Sequence, residues 1–362
     1  MAWSSSWGGF WALLRYADVK RAAADFKTFI TSVQNVVPKV AFTGRRPPLH
    51  LDPPEHTPYR RALNPLLSAE RVAALEPTVR RIVIELLTPL IERGSGDICT
   101  DFSSHLPVRV FAEWMNLPSD QALQLARSGR AFNLAVQDQD DELVKQISLQ
   151  LYEMARGLIA DRRAHPRDPL QDPTSALLAA RQDDQPLPDE MIIATIRQVL
   201  VVGIIAPTIV IGSIAVHLCR HPDLQRRLRA EPALIPTALE ELLRLYTPYR
   251  GFARTVSRPL ECHGETLQLR EPIALVYASA NRDETVFERP DEFDLSRPNL
   301  REHLAFGHGP HHCPGAGLAR LQLRVTLEEL LARTRELQLV GPIKPTRCPE
   351  IGALSVPVTF LR

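Results

Sequence analysis

One long stretch without a charged residue, from Val199 to Val216, limits the folds that this chain can adopt. About 18 apolar residues are the minimum that crosses a bilayer, so a membrane span has to be considered. Gly203, Pro207 and Gly212 interrupt the stretch, and charged amphipathic segments flank it closely. We therefore predict a helix that is apolar on all sides because it is buried through the middle of a large helical domain.

The composition of the 362-residue chain is that of a globular protein, with 44% hydrophobic and 23% charged residues. Its 43 basic and 42 acidic residues create no overall field that would attract nucleic acid or an anionic membrane. The five cysteines are an odd number without a CxxC pair, which argues against disulfides and favours a reducing compartment. We expect a single domain over residues 1–362, cytoplasmic, with no signal peptide and with neither nucleic acid nor a membrane as partner.

Hydrophobic periodicity predicts a mainly α fold with small β-sheets. Helices are predicted at about 17–26, 56–66, 69–93, 119–135, 140–163, 189–219, 222–230, 233–246 and 314–335. Strands are predicted at 10–16, 254–262, 265–269, 273–277 and 354–360. The proline-rich segment 34–54 is expected to be irregular.

The strongest chemical motif is the segment FGHGPHHCPG, in which a lone cysteine precedes the last predicted helix. With Cys313 at the N-cap and Pro314 at the first helical position, free backbone N–H groups and the helix dipole would lower the pKa of the thiol. A thiolate is a strong axial donor to ferric haem. A buried structural cysteine is the ordinary alternative. Zinc is weaker, since the neighbouring histidines crowd one hexapeptide without a distant ligand pair. These histidines are His308, His311 and His312.

This segment resembles the cysteine signature of the cytochrome P-450 superfamily, F-x-x-G-x-x-x-C-x-G. Its fixed positions are Phe306, Gly309, Cys313 and Gly315. Similar segments at 52–61, 253–264 and 278–283 extend the resemblance over nearly the whole chain. The resemblance implies the P-450 fold, with haem b between a long central helix and the cysteine loop at the last helix, and with Cys313 as the iron ligand. It also implies that the chain starts several dozen residues later than is usual in the family.

The same resemblance gives roles to two sets of charged residues. Glu241 and Arg244 match the family's E-x-x-R motif and, with Arg297, are implied to form a buried structural ion cluster. On a surface, such a helical pair would contribute only tenths of a kcal/mol. The haem propionates are carboxylates that need cationic donors. The residues implied to supply them are His56, Arg60, Arg254 and His311.

The apolar stretch aligns with the family's central helix over the haem, where Gly203 falls at the oxygen groove. The family's acid and alcohol positions hold Ile205 and Ala206, followed by Pro207, so the usual pair is absent. Because Pro207 has no N–H group, the helix should kink there. Thr208 lies too far around the helix to replace the hydroxyl and should bond a backbone carbonyl instead. The candidate catalytic positions are therefore Gly203, Ala206 and Pro207.

We expect a haem-thiolate monooxygenase that inserts one atom of dioxygen into a small hydrophobic or aromatic substrate, by hydroxylation or O-dealkylation. Electrons would come from a separate ferredoxin and ferredoxin reductase. The missing acid-alcohol pair leaves two alternatives open, a peroxide-driven peroxygenase and a non-catalytic haem-binding relative.

Family position also implies substrate contacts from the segment 34–49 and from apolar side chains elsewhere. These side chains are Val202, Ile205, Ala206, Tyr249, Phe252 and Leu354. A basic face near the cysteine could receive an acidic ferredoxin. Its members would be Arg60, Arg61, Arg320 and Arg324.

Overall fold

A computed structural model describes residues 1–37 and 44–362 of the chain. In this part of the chain the α-helices are α1 (Tyr16–Ala24), α2 (Thr57–Leu63), α3 (Ala69–Ala74), α4 (Glu76–Arg93), α5 (Leu106–Trp114), α6 (Ser119–Asp138), α7 (Asp141–Ala164), α8 (Pro173–Ala179), α9 (Asp189–Arg220), α10 (Pro222–Ala230), α11 (Ile235–Leu245), α12 (Tyr277–Ala280) and α13 (Ala316–Arg333). A π-helical turn, Ile98–Ser103, separates α4 from α5.

The strands are β1 (Ala2–Ser4), β2 (Phe10–Leu13), β3 (Phe29–Ile30), β4 (Ser95–Asp97), β5 (Arg181–Gln182), β6 (Gln185–Pro186), β7 (Phe252–Val256), β8 (Leu260–Cys262), β9 (Glu265–Leu267), β10 (Pro272–Leu275), β11 (Glu336–Leu339), β12 (Lys344–Pro345), β13 (Ala353–Ser355) and β14 (Pro357–Leu361). The largest described sheet has the order β1-β2-β10-β7-β3, and a second has the order β11-β14-β4. In the first sheet, β10 runs parallel to β2 and antiparallel to β7. This sheet therefore joins the N-terminal strands to strands from the last third of the chain.

The predicted mainly α fold with small sheets is confirmed, but several boundaries differ. The predicted helix 69–93 is two helices that meet at Leu75, because Pro77 favours a new helix start in the first turn of α4. The predicted strand 10–16 ends at Leu13, and the predicted strand 254–262 is β7 and β8 joined by a turn. Helix α5 was missed; nearly all of its residues are buried, so it lacks the polar stripe that marks an amphipathic helix.

Helix α9 runs through the core as the sequence predicted, continuous for 32 residues and through Pro207. Its most apolar window has a mean hydropathy of 2.6, so by length and composition alone the helix could cross a membrane. In the structure 78% of that window is buried against other parts of the protein, including α5, α6 and α7. A core helix of a soluble protein has this pattern of burial.

Candidate functional site

The cysteine loop closes on itself and presses against α1. The Cys313 N–H donates to the carbonyl of Phe306 at 2.8 Å. Gly307 and Gly309 both have φ of +70°, a left-handed conformation that favours glycine. A Cβ atom at Gly309 would also lie 2.6 Å from the carbonyl oxygen of Ala23. The sequence therefore needs glycine at position 309 for both conformation and space.

The predicted helix start at the cysteine is wrong. Helix α13 begins at Ala316 with Gly315 as its N-cap residue, because the turn that bonds Cys313 to the loop precedes the helix. The half-buried thiol does not have the predicted low pKa. Burial raises the pKa of Cys313, although the Gly315 N–H and the charge of Arg60 act to lower it. A thiol coordinates a metal only after it loses its proton, so metal binding at this residue would be coupled to proton release.

Four basic side chains converge where the propionates were expected. The rings of His56 and His311 lie 4.8 Å apart between centroids. Burial lowers the pKa of His56 to about 4, with further lowering from His311 and Arg60. Burial and the charges of Arg254 and Arg60 lower the pKa of His311, while Asp52 acts to raise it. These shifts place all four residues within one electrostatic neighbourhood.

The donors in this neighbourhood fit an anionic cofactor edge. His56 Nε2 is buried without a hydrogen-bond partner in residues 1–37 and 44–362. Arg254 is 3% exposed, yet the described residues place no carboxylate within 4 Å of its guanidinium. Asp52 lies 3.8 Å from His311 Nε2 but already accepts hydrogen bonds from Thr31. Two propionates could pair with His56 Nε2 and with the guanidinium of Arg254, which has no carboxylate partner in the described structure, so the residues present fit haem b.

The predicted ion cluster is compact and buried. Arg244 donates Nε and Nη2 to the two carboxylate oxygens of Glu241, each at 2.7 Å. Arg297 donates Nε to the same carboxylate at 3.1 Å. Arg244 also donates to the carbonyls of Asn281 and Pro290. The cluster therefore ties α11 to the chain that leads into the cysteine loop.

A second buried carboxylate, which the sequence reasoning missed, holds the last helix. Glu240 receives Nε and Nη2 of Arg320 at 2.7 and 2.8 Å and lies 3.2 Å from His303. Burial acts to raise the pKa of Glu240, but its hydrogen bonds with Arg320 and His303 lower it to about 2. Arg324 is likewise paired with Glu76 and Glu328.

The predicted basic docking face is therefore wrong for most of its members. Arg320 and Arg324 are neutralised by glutamates that lie far away in sequence. Arg60 turns inward and donates to the carbonyl of His312 at 2.9 Å. Of the four arginines, Arg61 is the exposed one without an ion pair in the described structure.

The middle of α9 is less buried than the helical turns on either side of it. Val202 is 47% exposed although its helix lies in the core, and Gly203 and Ala206 are half-buried. A Cβ atom at Gly203 would lie 2.0 Å from the ring of Phe111 on α5. The space beside this glycine is thus filled by Phe111, so close helix packing explains Gly203 better than the open oxygen groove that was expected.

The hydroxyl after the proline has the role that the sequence predicted. Thr208 Oγ1 lies 2.9 Å from the carbonyl oxygens of both Ile204 and Ser103, and its single proton can be donated to either of them. Ile205 is buried and has no group that could carry a proton. Side chains at Ile205, Ala206 and Pro207 therefore supply neither an acid nor an alcohol.

The candidate substrate residues fall into two groups. Ile205 and Leu354 line one cavity of about 60 Å³ between α6, α9 and β13. Tyr249 and Phe252 pack together, with 5.1 Å between ring centroids. Burial raises the pKa of the Tyr249 hydroxyl, and nearby Glu350 and Cys313 raise it further. Residues 38–43 of the predicted contact segment 34–49 lie outside the described residues.

Comparison with known proteins agrees with this geometry. The family model for cytochrome P-450 matches residues 109–345. Cyclomarin C epoxidase CymV from Salinispora arenicola is 32% identical over 97% of this chain and 90% of its own length. The mycinamicin IV hydroxylase/epoxidase of Micromonospora griseorubida is 33% identical over 97% and 89%. Among solved structures, HmtN, a post-tailoring hydroxylase involved in himastatin biosynthesis, has a TM-score of 0.86 and 28% identity, covering 97% of this chain and 91% of that chain.

The fold and the comparisons together define a haem-dependent oxidoreductase. The chain belongs to the cytochrome P-450 family, in its bacterial type, and its cofactor is haem b, which supplies oxygen activation when bound. It is a P-450 monooxygenase that acts on small molecules and uses dioxygen.

Proposed function

We propose that the protein hydroxylates or O-dealkylates a small hydrophobic or aromatic substrate, with electrons from a separate ferredoxin and ferredoxin reductase in the cytoplasm. The observation that carries this proposal is the closed Cys313 loop, together with the exposure of the apolar side chain of Val202 on the largely buried helix α9. We assign iron ligation to Cys313 and propionate binding to the basic neighbourhood described above. In this assignment Phe306, Gly309 and Gly315 shape the cysteine loop.

The walls of the proposed substrate pocket favour an apolar molecule. Val202, Ile205 and Leu354 offer only hydrocarbon surface, while Tyr249 and Phe252 offer aromatic rings. Binding of an apolar substrate would exclude water from the oxygen side of the haem. Two of the relatives named above are named as epoxidases, of cyclomarin C and of mycinamicin IV, which makes epoxidation a further reaction to assay.

Proton supply distinguishes this protein from a relative with the acid-alcohol pair. With Ile205 and Ala206 at those positions, protons have to come from water or from a polar group of the substrate. The carbonyl of Gly203, which Pro207 cannot bond, is one place where α9 could hold such a water. A peroxide-driven reaction is the second candidate, because peroxide brings oxygen that is already reduced.

Turnover with two electron sources tests the proposal. The purified haem protein would be supplied with a panel of apolar and aromatic substrates, either with ferredoxin, reductase and NADPH or with hydrogen peroxide. Oxygenated product from the reductase system, at a rate above that with peroxide, is the expected result. Product with peroxide alone would select the peroxygenase, and product with neither would select the non-catalytic haem-binding relative. Cys313→Ser is the control and should abolish product in both systems.

A further inference from the structure

Two arginine side chains lie close together away from the cysteine loop, in the region between α6, α7 and α9. Arg197, on α9, is 1% exposed. Burial lowers its pKa to about 10, and the charge of Arg46 contributes to this lowering. Burial and the charges of Arg46 and Arg197 also lower the pKa of His50 to about 3. The two guanidinium groups therefore share one neighbourhood and repel further positive charge from it.

The contacts of Arg197 are neutral. Its Nε and Nη2 donate to Ser148 Oγ at 3.1 and 2.8 Å. Its guanidinium lies 5.3 Å from the ring centroid of Phe132 and 5.9 Å from that of Tyr152. These groups orient the arginine by a hydroxyl and two aromatic faces, but none of them carries a negative charge.

Among the described residues, Arg46 has fewer hydrogen-bond partners than Arg197. Its Nε is buried without a hydrogen-bond partner in the described structure. Burial lowers the pKa of this guanidinium as well. The segment that carries it passes close to α7, because a Cβ atom at Gly44 would lie 2.8 Å from the Tyr152 hydroxyl.

The chain itself does not neutralise these charges. Across residues 1–37 and 44–362, neither guanidinium has a carboxylate within 4 Å. The sequence of residues 38–43, PKVAFT, contains a lysine and no acid. Arg162 is also buried but differs from these two arginines, because it pairs with Asp172 at 3.1 Å. An uncompensated buried charge is costly, so a pair of them at one place indicates a missing anion.

We propose that Arg46 and Arg197 bind the carboxylate of a substrate whose remaining part is apolar. This inference rests on the proposed function and narrows its substrate class. Arg197 precedes Ala206 by nine residues, which is about 13 Å along the axis of α9. A molecule with a carboxylate at one end and an oxidisable carbon at the other would span that distance. The aromatic rings of Phe132 and Tyr152 offer apolar surface beside the arginines.

The stability of variants separates a binding role from a structural one. Arg197→Met removes a charge that has no counter-ion, so it should raise the unfolding temperature of the ligand-free haem protein. The matched control is Arg162→Met, which strands Asp172 and should lower that temperature. A loss of stability in Arg197→Met as large as that in Arg162→Met would show that Arg197 is a structural residue and would overturn the inference.

Ligand binding tests the carboxylate directly. The purified haem protein would be titrated calorimetrically with decanoate, decanol, decyltrimethylammonium and acetate, and the same titrations would be repeated on Arg46→Gln and Arg197→Met. Charge-assisted hydrogen bonds predict that decanoate binds wild type at least about tenfold more tightly than decanol does. Each variant should lose that preference while it keeps its affinity for decanol. Decyltrimethylammonium should bind more weakly than decanol.

Three results would overturn the inference. The first is equal affinity of wild type for decanoate and decanol, including no detectable binding of either. The second is a preference for decanoate that survives both substitutions, and the third is acetate binding as tight as decanoate binding. The last result would mean a simple anion site without an apolar part. Calorimetry needs no turnover, so these outcomes are independent of the proposed reaction. Failure of the reductase-driven assay with decanoate bound would instead count against the proposed function.

Discussion

We expect Glu350 to make the stability of this protein depend on pH, and we expect the substitution Glu350→Gln to remove that dependence. The carboxylate is 2% exposed and accepts one hydrogen bond from Gln137 Nε2 at 2.7 Å. Among the described residues no basic group lies within 4 Å of it. Burial raises its pKa from 4.5 to about 7. The folded protein therefore holds a proton that the unfolded chain releases at a lower pH.

The sign and the size of the effect follow from that difference. A raised carboxyl pKa means that stability is greatest below the unfolded value and falls as pH rises through the folded value. A shift of about 2.5 units corresponds to about 3 kcal/mol. Glu350→Gln removes the charge and keeps a group that can accept the hydrogen bond from Gln137. It should have nearly the wild-type unfolding free energy at about pH 5 and exceed it by about 3 kcal/mol at about pH 8.

Urea unfolding of the haem protein, followed by circular dichroism across this pH range, measures the difference. Glu284→Gln, at an exposed glutamate, is the matched control and should give a pH-independent difference close to zero. The same pH dependence in Glu350→Gln and wild type would contradict a raised pKa of Glu350 in the folded protein. A variant less stable than wild type at high pH would also contradict it, since that would mean that the ionised carboxylate is stabilised in the folded state.

Three other substitutions test separate parts of the structure. Glu241→Gln leaves its two buried arginine partners without a carboxylate and should lower the unfolding free energy by about 3–5 kcal/mol in urea titration. A loss below about 1 kcal/mol, which is typical of a surface ion pair, would contradict the buried cluster. Gly203→Ala places a methyl group against Phe111 and should lower the unfolding free energy by about 1–3 kcal/mol, a loss that Phe111→Leu in the same chain should relieve. Equal losses with and without Phe111→Leu would refute the contact. His56→Leu removes an unused buried donor and should speed haem transfer to apomyoglobin about tenfold, whereas an unchanged rate would remove His56 from the propionate site.

The cysteine loop and the central helix could be predicted from sequence because local rules determine both. Two positive-φ positions require glycine, and a long uncharged stretch requires burial or a membrane. The start of α13 could not be predicted to the residue. The turn from Phe306 to Cys313 takes the cysteine out of the cap position, and this depends on a hydrogen bond across the loop.

The ion pairs between residues far apart in sequence could not be predicted. The E-x-x-R motif identified Glu241 and Arg244, but the pairing of Arg320 with Glu240 joins residues 80 apart and has no sequence signal. The basic docking face was predicted wrongly for this reason. Arg197 did carry a signal, since it is the last charge before the apolar stretch of α9 and falls within the buried helix. Its lack of a counter-ion becomes visible only when the neighbouring helices are in place.

The carbon monoxide difference spectrum of the reduced protein tests most directly whether Cys313 is the haem ligand. Wild type and Cys313→Ser would be purified in parallel, reduced with dithionite and exposed to carbon monoxide. We expect a Soret band at about 450 nm in wild type that is lost in the variant. A folded wild-type protein without that band, or a variant that keeps it, would contradict ligation by Cys313.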